Sequence, residues 1–414
     1  MTAFQGGGAM SAEILDAEVC VVGAGPAGLT LALQLARAGR DVVVLEAARH
    51  FNRTFRGESI SPDSVWLLDE LGLLDRLAGA YLPIERLEVS DGGRRVFGVE
   101  FAELPYRFPG PIELPQPALL AALAEEAARH PGFLLRTRCT AVSLLRDGGT
   151  VTGVRANGPD GPVEVRARLT VGADGRFSKV RQMAGLDGGH TPLERDVVWF
   201  RLPRPPGWDP AALRVRLDGG RHGLFLPTFP DDIRVGLNIA KGGLKALRAQ
   251  GLDALHRRVD ALAPELAGPV RAAVPTWSDT TLLDIFTTEP PEWGRPGLVL
   301  IGDAAHTLSP ILGQGVNHAV IDAVTLAALV PDAGPDVHRL LRLRRQEPVR
   351  RARTLQLRQE RAFALSAPPA VALRRALYRL VDRRPATKHR ILAGAFFQLQ
   401  PRLAAPLRDL VPVA

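Results

Sequence analysis

Cys20 and Cys139 are the only thiols in 414 residues, so neither a disulfide framework nor a cysteine-built metal site is expected. Cys20 falls in an apolar strand pattern and reads as a small buried hydrophobe. No apolar run reaches the roughly 18 to 20 residues that a helical membrane span requires. Met1–Ser11 carries a glycine triplet but neither a basic n-region nor an apolar h-region. It reads as part of a flexible leader (residues 1–16) rather than a signal peptide, and a cytoplasmic location is expected. Lysine is scarce as well: none precedes Lys179, so the net charge of +8 is mostly arginine. That arginine concentrates after His338, among leucines and alanines at helical spacing, which suits the solvated faces of amphipathic helices. Aromatic residues make up 6% and do not interleave with the basic run, so no nucleic-acid module is expected. What the chain has in quantity is hydrophobic residues, 46% against 23% charged, enough for a globular protein of two ordinary domains.

The pattern opens as a βαβ unit: strand Glu18–Gly23, helix Gly25–Gly39, strand Asp41–Glu46. Helices are predicted over Ser64–Leu77 and Pro117–Arg129, a strand over Phe133–Arg138, and a hairpin around Asp147-Gly148-Gly149. Residues 196–240 change to short strands between turn clusters, the mark of a separate antiparallel sheet. Helical patterns resume over Gly243–Leu262. After the strand Leu298–Ile301 the chain reads as helix, with proline breaks at 331, 335, 348 and 368–369.

Gly23-Ala24-Gly25-Pro26-Ala27-Gly28 follows a strand and opens a helix, the context that the dinucleotide fingerprint requires. The first glycine allows the turn, the second lets backbone approach a pyrophosphate, and the third lets helix and strand pack closely. The helix N-terminus faces the anion. Glu46, at the end of the second strand, is placed for the ribose hydroxyls. A second device is Leu298–Asn317: an apolar strand, the acid of Gly302-Asp303, a loop containing Pro310 and Gly313-Gln314-Gly315, and a helix start.

Gly23–Gly28, Thr170–Arg181 and Leu298–Asn317, in that order, resemble the three motifs of the class A FAD-dependent monooxygenases, aromatic hydroxylases with a para-hydroxybenzoate-hydroxylase-like fold. The resemblance spans about residues 17–330. It implies an α/β chain with a Rossmann-like FAD-binding domain (17–80, 107–190 and 285–331). A second domain on a mainly antiparallel sheet (81–106 and 191–284) would bind substrate, and helices would fill 332–414. That last region would pack on the FAD domain, or form a dimer surface or the entrance for an apolar substrate. Gly23, Gly25, Ala27, Gly28 and Glu46 would bind the nucleotide, and Arg56 and Gln116 the phosphate and ribityl region. Asp174 would shape the second motif, with Arg181 either an ion pair or a ligand contact. Asp303 would bind the ribityl chain, while Gly313, Gly315, Val316 and Asn317 would lie along the flavin. Pro310 and Gly315 form the flavin-edge loop, where backbone N–H groups and the helix dipole would stabilise reduced flavin. His306 could pack or cap as readily as take part in the chemistry.

By the same resemblance, NADH or NADPH would reduce the flavin from a transient site. O2 would then form a C4a-hydroperoxide, whose oxygen passes to an aromatic or polyketide-like small molecule. Trp199, Arg201, His222, Phe225, Thr228 and Asn238 are the candidate substrate residues, and the sheet's Trp and Phe suggest an apolar aromatic ligand. The enzyme would be a monomer or homodimer. Other readings keep the fold: a geranylgeranyl-reductase-like dehydrogenase, a halogenase or a non-catalytic FAD-bound scaffold. Gly57-Glu58-Ser59-Ile60-Ser61-Pro62 resembles a halogenase segment, yet Gly223–Pro227 lacks the halogenase tryptophans and no lysine follows Glu58 before Lys179.

Overall fold

The computed structural model describes residues 12–52, 57–331, 334–404 and 406. The chain opens with β1 (Glu13–Val22), α1 (Pro26–Arg37), β2 (Val42–Glu46), β3 (Ser59–Ile60) and α2 (Pro62–Glu70). Four short strands follow: β4 (Leu82–Pro83), β5 (Arg86–Asp91), β6 (Arg94–Glu100) and β7 (Ile112–Glu113). Next come α3 (Gln116–Ala127), β8 (Phe133–Thr137), β9 (Thr140–Asp147), β10 (Thr150–Gly158), β11 (Gly161–Gly172) and α4 (Lys179–Met183). The middle holds β12 (Thr191–Pro192), β13 (Arg195–Pro203), β14 (Ala212–Asp218), β15 (Arg221–Thr228) and β16 (Asp232–Ala240). After α5 (Leu244–Ala249), α6 (Leu252–Leu262) and α7 (Ala267–Ala273) come β17 (Thr281–Leu283), β18 (Phe286–Thr287), β19 (Gly294–Arg295) and β20 (Leu298–Leu300). The helices α8 (Gly315–Leu329), α9 (Val337–Ala364), α10 (Pro368–Asp382) and α11 (Pro385–Phe396) are the last elements among the described residues.

The first sheet runs β19-β20-β11-β1-β2-β8, with β10 and β9 continuing from β11. β20, β11, β1, β2 and β8 are parallel, so Val21 stands between Val171 and Val44. Helices cover the sheet, which explains why Val19–Val22 and Val42–Leu45 are buried without alternation. Pro26 suits the first turn of α1, where its missing N–H costs no bond.

The second sheet runs β17-β13-β16-β15-β14-β5-β6. It is antiparallel apart from β14, which pairs parallel with β5, a partner from far upstream that local patterning did not reveal. One face buries Phe200, Phe225 and Val235 against Leu255 and Val259 of α6. The other face packs Val89 and Leu217 with Phe363 of α9. A small sheet, β3-β7-β4, bridges the two.

Four predicted boundaries shift. β1 begins at Glu13, paired with Val163, so residues 13–16 are strand rather than leader because the twelve-residue β11 supplies their partner backbone. Residues 1–11 lie outside the described part. The helix predicted over Ser64–Leu77 ends at Glu70, before Gly72 at φ 64°. That predicted over Gly243–Leu262 divides at Gly251, at φ 82°. Pro348 does not break its helix: α9 runs through it. Proline costs about 3 kcal/mol in a helix interior, but Leu341, Arg345 and Val349 are buried on either side of it, and that anchoring holds the helix together.

The C-terminal helices pack on both domains. Arg345 of α9 bonds Asp322 of α8 at 2.7 Å. Arg374 of α10 bonds Asp91 of β5 at 2.6 and 2.9 Å. No helix among the described residues is long and apolar enough to cross a membrane.

Candidate active site

The glycine turn between β1 and α1 is shaped by contact on two sides and open on the third. A Cβ on Gly23, at φ 107°, would stand 2.5 Å from the Ala173 carbonyl oxygen, and one on Gly28 would stand 1.9 Å from the Gly23 carbonyl oxygen. At Gly25, the N-cap of α1, a Cβ would meet nothing within 4 Å. The turn thus presents backbone and a helix N-terminus to open space, the cradle a pyrophosphate needs. Glu46 lies beside it, accepting from Ala24 N and Ala48 N, both at 2.8 Å. A carboxylate accepts hydrogen bonds and never donates them, which is the chemistry that ribose hydroxyl donors need.

Asp174 does its work within its own turn. Its carboxylate accepts from Ser178 Oγ at 2.5 Å, Lys179 N at 2.7 Å and Val180 N at 3.0 Å, capping the start of α4. Arg181 is a structural residue here: fully buried, it donates to Asp187 and to the carbonyls of Arg176 and Ala304. Gly302 N donates to Asp322, whose other partners are His306 at 2.7 Å and Arg345. Burial works against ionisation of Asp322, but His306 and Arg345 outweigh it and hold the carboxyl well below its usual range. His306 therefore packs behind the Gly302-Asp303 turn rather than in the cavity.

Gly313, at φ 62°, turns the Pro310–Leu312 segment into α8. Asn317 clamps that turn: its amide donates to the carbonyls of Gly313 (2.9 Å) and Ser59 (3.3 Å), and its oxygen accepts from Ser61 N (2.9 Å). Those bonds make it a brace for the loop, an assignment that the residue type alone did not settle. Gln116 donates to the Gly57 carbonyl at 3.3 Å. Arg56 lies outside the described residues.

These pieces face one cavity of about 1160 Å³, more than the roughly 300 to 1000 Å³ of a site for one small molecule. Gly23, Gly25, Glu46, Gln116, Asp174 and Asp303 line one half, and Pro310, Gly313, Gly315, Val316 and Asn317 its middle. The far half lies between the second sheet and the C-terminal helices. Of the six substrate candidates only Trp199 lines it. Phe225 is on the other face, in the core with α6, because alternate strand residues point oppositely. Its neighbours Leu224 and Leu226 are the lining residues, with Leu213 and Val215. His222 packs on Phe363, and its backbone N–H donates to Asn238 at 2.6 Å. Arg201 and Thr228 bond Glu58. Strand alternation seeded from Trp199 could have found Leu224 and Leu226. No local signal placed Gln359, Phe363 and Tyr378 of the C-terminal helices along the same wall.

A buried charge cluster lies where the halves meet. Arg234 of β16 bonds Glu113 of β7 at 3.2 Å and lies 3.5 Å from Glu58. Ser59 donates its hydroxyl hydrogen to Glu113. Burial pushes Glu113 up to about 7, against the opposing pull of Arg234 and Ser59. Arg234 also stands 5.3 Å from the Trp199 ring centroid.

The family model described as FAD binding domain matches residues 16–202 and 253–331. The 6-methylpretetramide 4-monooxygenase of Streptomyces rimosus is 35% identical over 378 residues, covering 89% of this chain and 90% of that protein. The 3-amino-4-hydroxybenzoate 2-monooxygenase of Streptomyces cremeus is 29% identical over 364 residues, covering 83% and 84%. Among solved structures, the p-nitrophenol 4-monooxygenase of Pseudomonas putida DLL-E4 superposes with a TM-score of 0.78 at 22% identity, covering 92% of this chain and 97% of that one. The chain belongs to the FAD-dependent monooxygenases.

In this monooxygenase the residues present fit FAD. The open face at Gly25, the carboxylate of Glu46, Asp303 before the α8 N-terminus and the volume of the cavity supply the donors, acceptors and space that a flavin dinucleotide needs. Cys20, whose thiol burial pushes up to about 12, takes no part.

Proposed function

We propose that the enzyme uses NADH or NADPH and O2 to hydroxylate an electron-rich, apolar aromatic small molecule of the polyketide kind, in the cytoplasm. The observation that carries this reading is the continuity of the cavity. It passes from the glycine turn, along the Pro310–Asn317 loop, into a chamber walled by Leu213, Val215, Leu224 and Leu226 with Trp199. Its similarity to a relative named 6-methylpretetramide 4-monooxygenase supports the polyketide class.

Bound FAD supplies the redox chemistry that accepts a hydride and activates oxygen. The chain's own groups hold and shield it. Gly23, Gly25, Ala27 and Gly28 with the α1 dipole would hold the pyrophosphate, Glu46 the ribose, Gln116 and Arg56 (the latter outside the described residues) the phosphate and ribityl region, and Asp303 the ribityl hydroxyls. Asp174 supports them through its turn. The N-terminus of α8, at Gly315 and Val316, turns its positive dipole end to the cavity and would stabilise the negative charge of a reduced flavin. Pro310 and Gly313 shape that loop, and Asn317 braces it. The apolar chamber walls exclude water from the site where oxygen transfers.

The test is anaerobic reduction by NADH and by NADPH, with and without candidate phenols and aromatic polyketides, followed by oxygen and product mass. A product heavier by one oxygen atom is expected, with NAD(P)H oxidation stimulated by substrate. Loss of two hydrogens instead marks a dehydrogenase. A yellow flavoprotein whose NAD(P)H oxidation no substrate stimulates overturns the reading in favour of a scaffold.

A further inference from the structure

Ser59 stands at the junction of the cavity's two halves. It lines the cavity, and a Cβ built on Gly313 of the flavin-edge loop would lie 4.0 Å from its Oγ. From that position it donates to Oε1 of Glu113, a carboxylate with no solvent exposure. The charged groups facing Glu113 are Arg234 from β16, at 3.2 Å, and Glu58 beside β3, itself held by Arg201 of β13 and Thr228 of β15. The cofactor-binding turns make no use of this carboxylate. Because Ser59 spends its hydrogen on Glu113, its oxygen keeps lone pairs that can accept a hydrogen bond from a hydroxyl in the cavity.

We propose that Ser59 and Glu113 form a proton relay that takes the hydroxyl proton of a phenolic substrate lying against the flavin-edge loop. The relay rests on the hydroxylase reading above. In the forward step the substrate O–H bond breaks and its electron pair stays on oxygen. The proton joins Ser59 Oγ while the original Ser59 proton passes to Glu113 Oε1. Glu113 goes from carboxylate to neutral acid, the substrate from phenol to phenolate, and no electrons are exchanged. The phenolate's charge enriches the ring carbon that attacks electrophilic oxygen. Return of the proton to the product's oxygen, through the same two bonds in reverse, resets the relay. A carboxylate poised near 7 suits a group that must both take and return a proton at neutral pH. Arg234 keeps the charged form available against the cost of burial.

The experiment uses the FAD-loaded full chain as wild type, Glu113→Gln, Ser59→Ala and Ser59→Thr. Infrared difference spectra of wild type against Glu113→Gln, without substrate, are expected to show a protonated-carboxyl band that titrates with a midpoint of about 7. Absence of that band throughout the neutral range overturns the relay. The second arm follows 1-naphthol, whose absorption reports its ionisation, and the rate of any phenol that supports coupled turnover. In wild type, kcat is expected to rise with pH through neutrality, as Glu113 becomes free to accept. Both Glu113→Gln and Ser59→Ala should lose that rise and drop kcat on the order of 10²-fold, with KM little changed, while Ser59→Thr restores both. If Glu113→Gln loses flavin, Ser59→Ala carries the test, since it leaves every charged group in place. Coupled turnover with an unchanged pH profile in Ser59→Ala overturns the relay alone. A flavin-loaded wild type that neither binds 1-naphthol nor oxidises any phenol overturns the hydroxylase reading, and the infrared titration still reads Glu113.

Discussion

Arg181 Nη1 donates to the carbonyl oxygen of Ala304 at 3.0 Å, which fastens the Asp174 turn to the turn carrying Asp303. The same guanidinium bonds Asp187 at 3.2 Å and the Arg176 carbonyl at 3.3 Å, with no exposure to solvent. One side chain therefore sets the spacing of two cofactor motifs more than a hundred residues apart. Replacement by Met leaves those acceptors unpaired. It is expected to cost about 3 kcal/mol, read as a lower urea midpoint, and to release FAD, read as lost flavin absorbance after gel filtration. Arg181→Lys should rescue only in part, because a point charge cannot reproduce the planar fork.

Gly25 and Gly28 should fail in different ways. Gly25→Val adds atoms where the protein has none within 4 Å, so a folded apoprotein is expected, with far-UV circular dichroism intact and flavin absent. Gly28→Ala drives a methyl to 1.9 Å from the Gly23 carbonyl oxygen, separating α1 from β1. Its expected result is loss of soluble protein or a sharply lowered melting temperature.

Phe225 and Leu226 are neighbours with opposite duties. Phe225 is fully buried in the core beneath the sheet, while Leu226 lines the cavity. Phe225→Ala is expected to cost about 3 to 5 kcal/mol of stability and to leave KM close to wild type in the fraction that folds. Leu226→Ala should raise substrate KM several-fold with a smaller loss of stability. Urea denaturation and steady-state kinetics on both variants check the pair.

His222 contributes to acid sensitivity. Burial, together with Arg195 and Arg374, lowers its pKa to about 3, so between about 6.5 and 3 the unfolded chain binds a proton that the folded chain does not. Stability from this group is full above about 6.5 and falls as pH drops toward 3. Glu113, raised to about 7, acts in the opposite direction between its unfolded value near 4.3 and 7. His222→Gln is therefore expected to flatten the fall in urea midpoint on acidification, and Glu113→Gln to steepen it.

The cofactor half was largely legible in the sequence because each of its pieces is local. A strand followed by Gly23–Gly28 and a helix, or by Gly302-Asp303 and a loop into α8, is a run of adjacent residues whose backbone chemistry can be read in place. Even there the side-chain roles needed the fold. Asp174 proved to cap α4 and Asn317 to brace Ser59–Ser61 and Gly313, since what a carboxylate or amide bonds depends on neighbours brought from elsewhere.

The substrate half was not legible in the same way. Short strands between turn clusters marked the second sheet, but one step along a strand exchanges chamber for core, as between Leu224 and Phe225. The parallel pairing of β14 with β5, more than a hundred residues upstream, and the arrival of Gln359, Phe363 and Tyr378 from the C-terminal helices leave no mark in any single stretch.

By itself the sequence determined the family, an FAD-binding domain, and the glycine turns that face the cavity, because glycine conformations and helix starts are properties of a few consecutive residues. Only the tertiary structure decided which wall faces the reacting end, and that Ser59, Glu113 and Arg234 meet there. Such contacts depend on packing and burial across three strands, which no local pattern encodes.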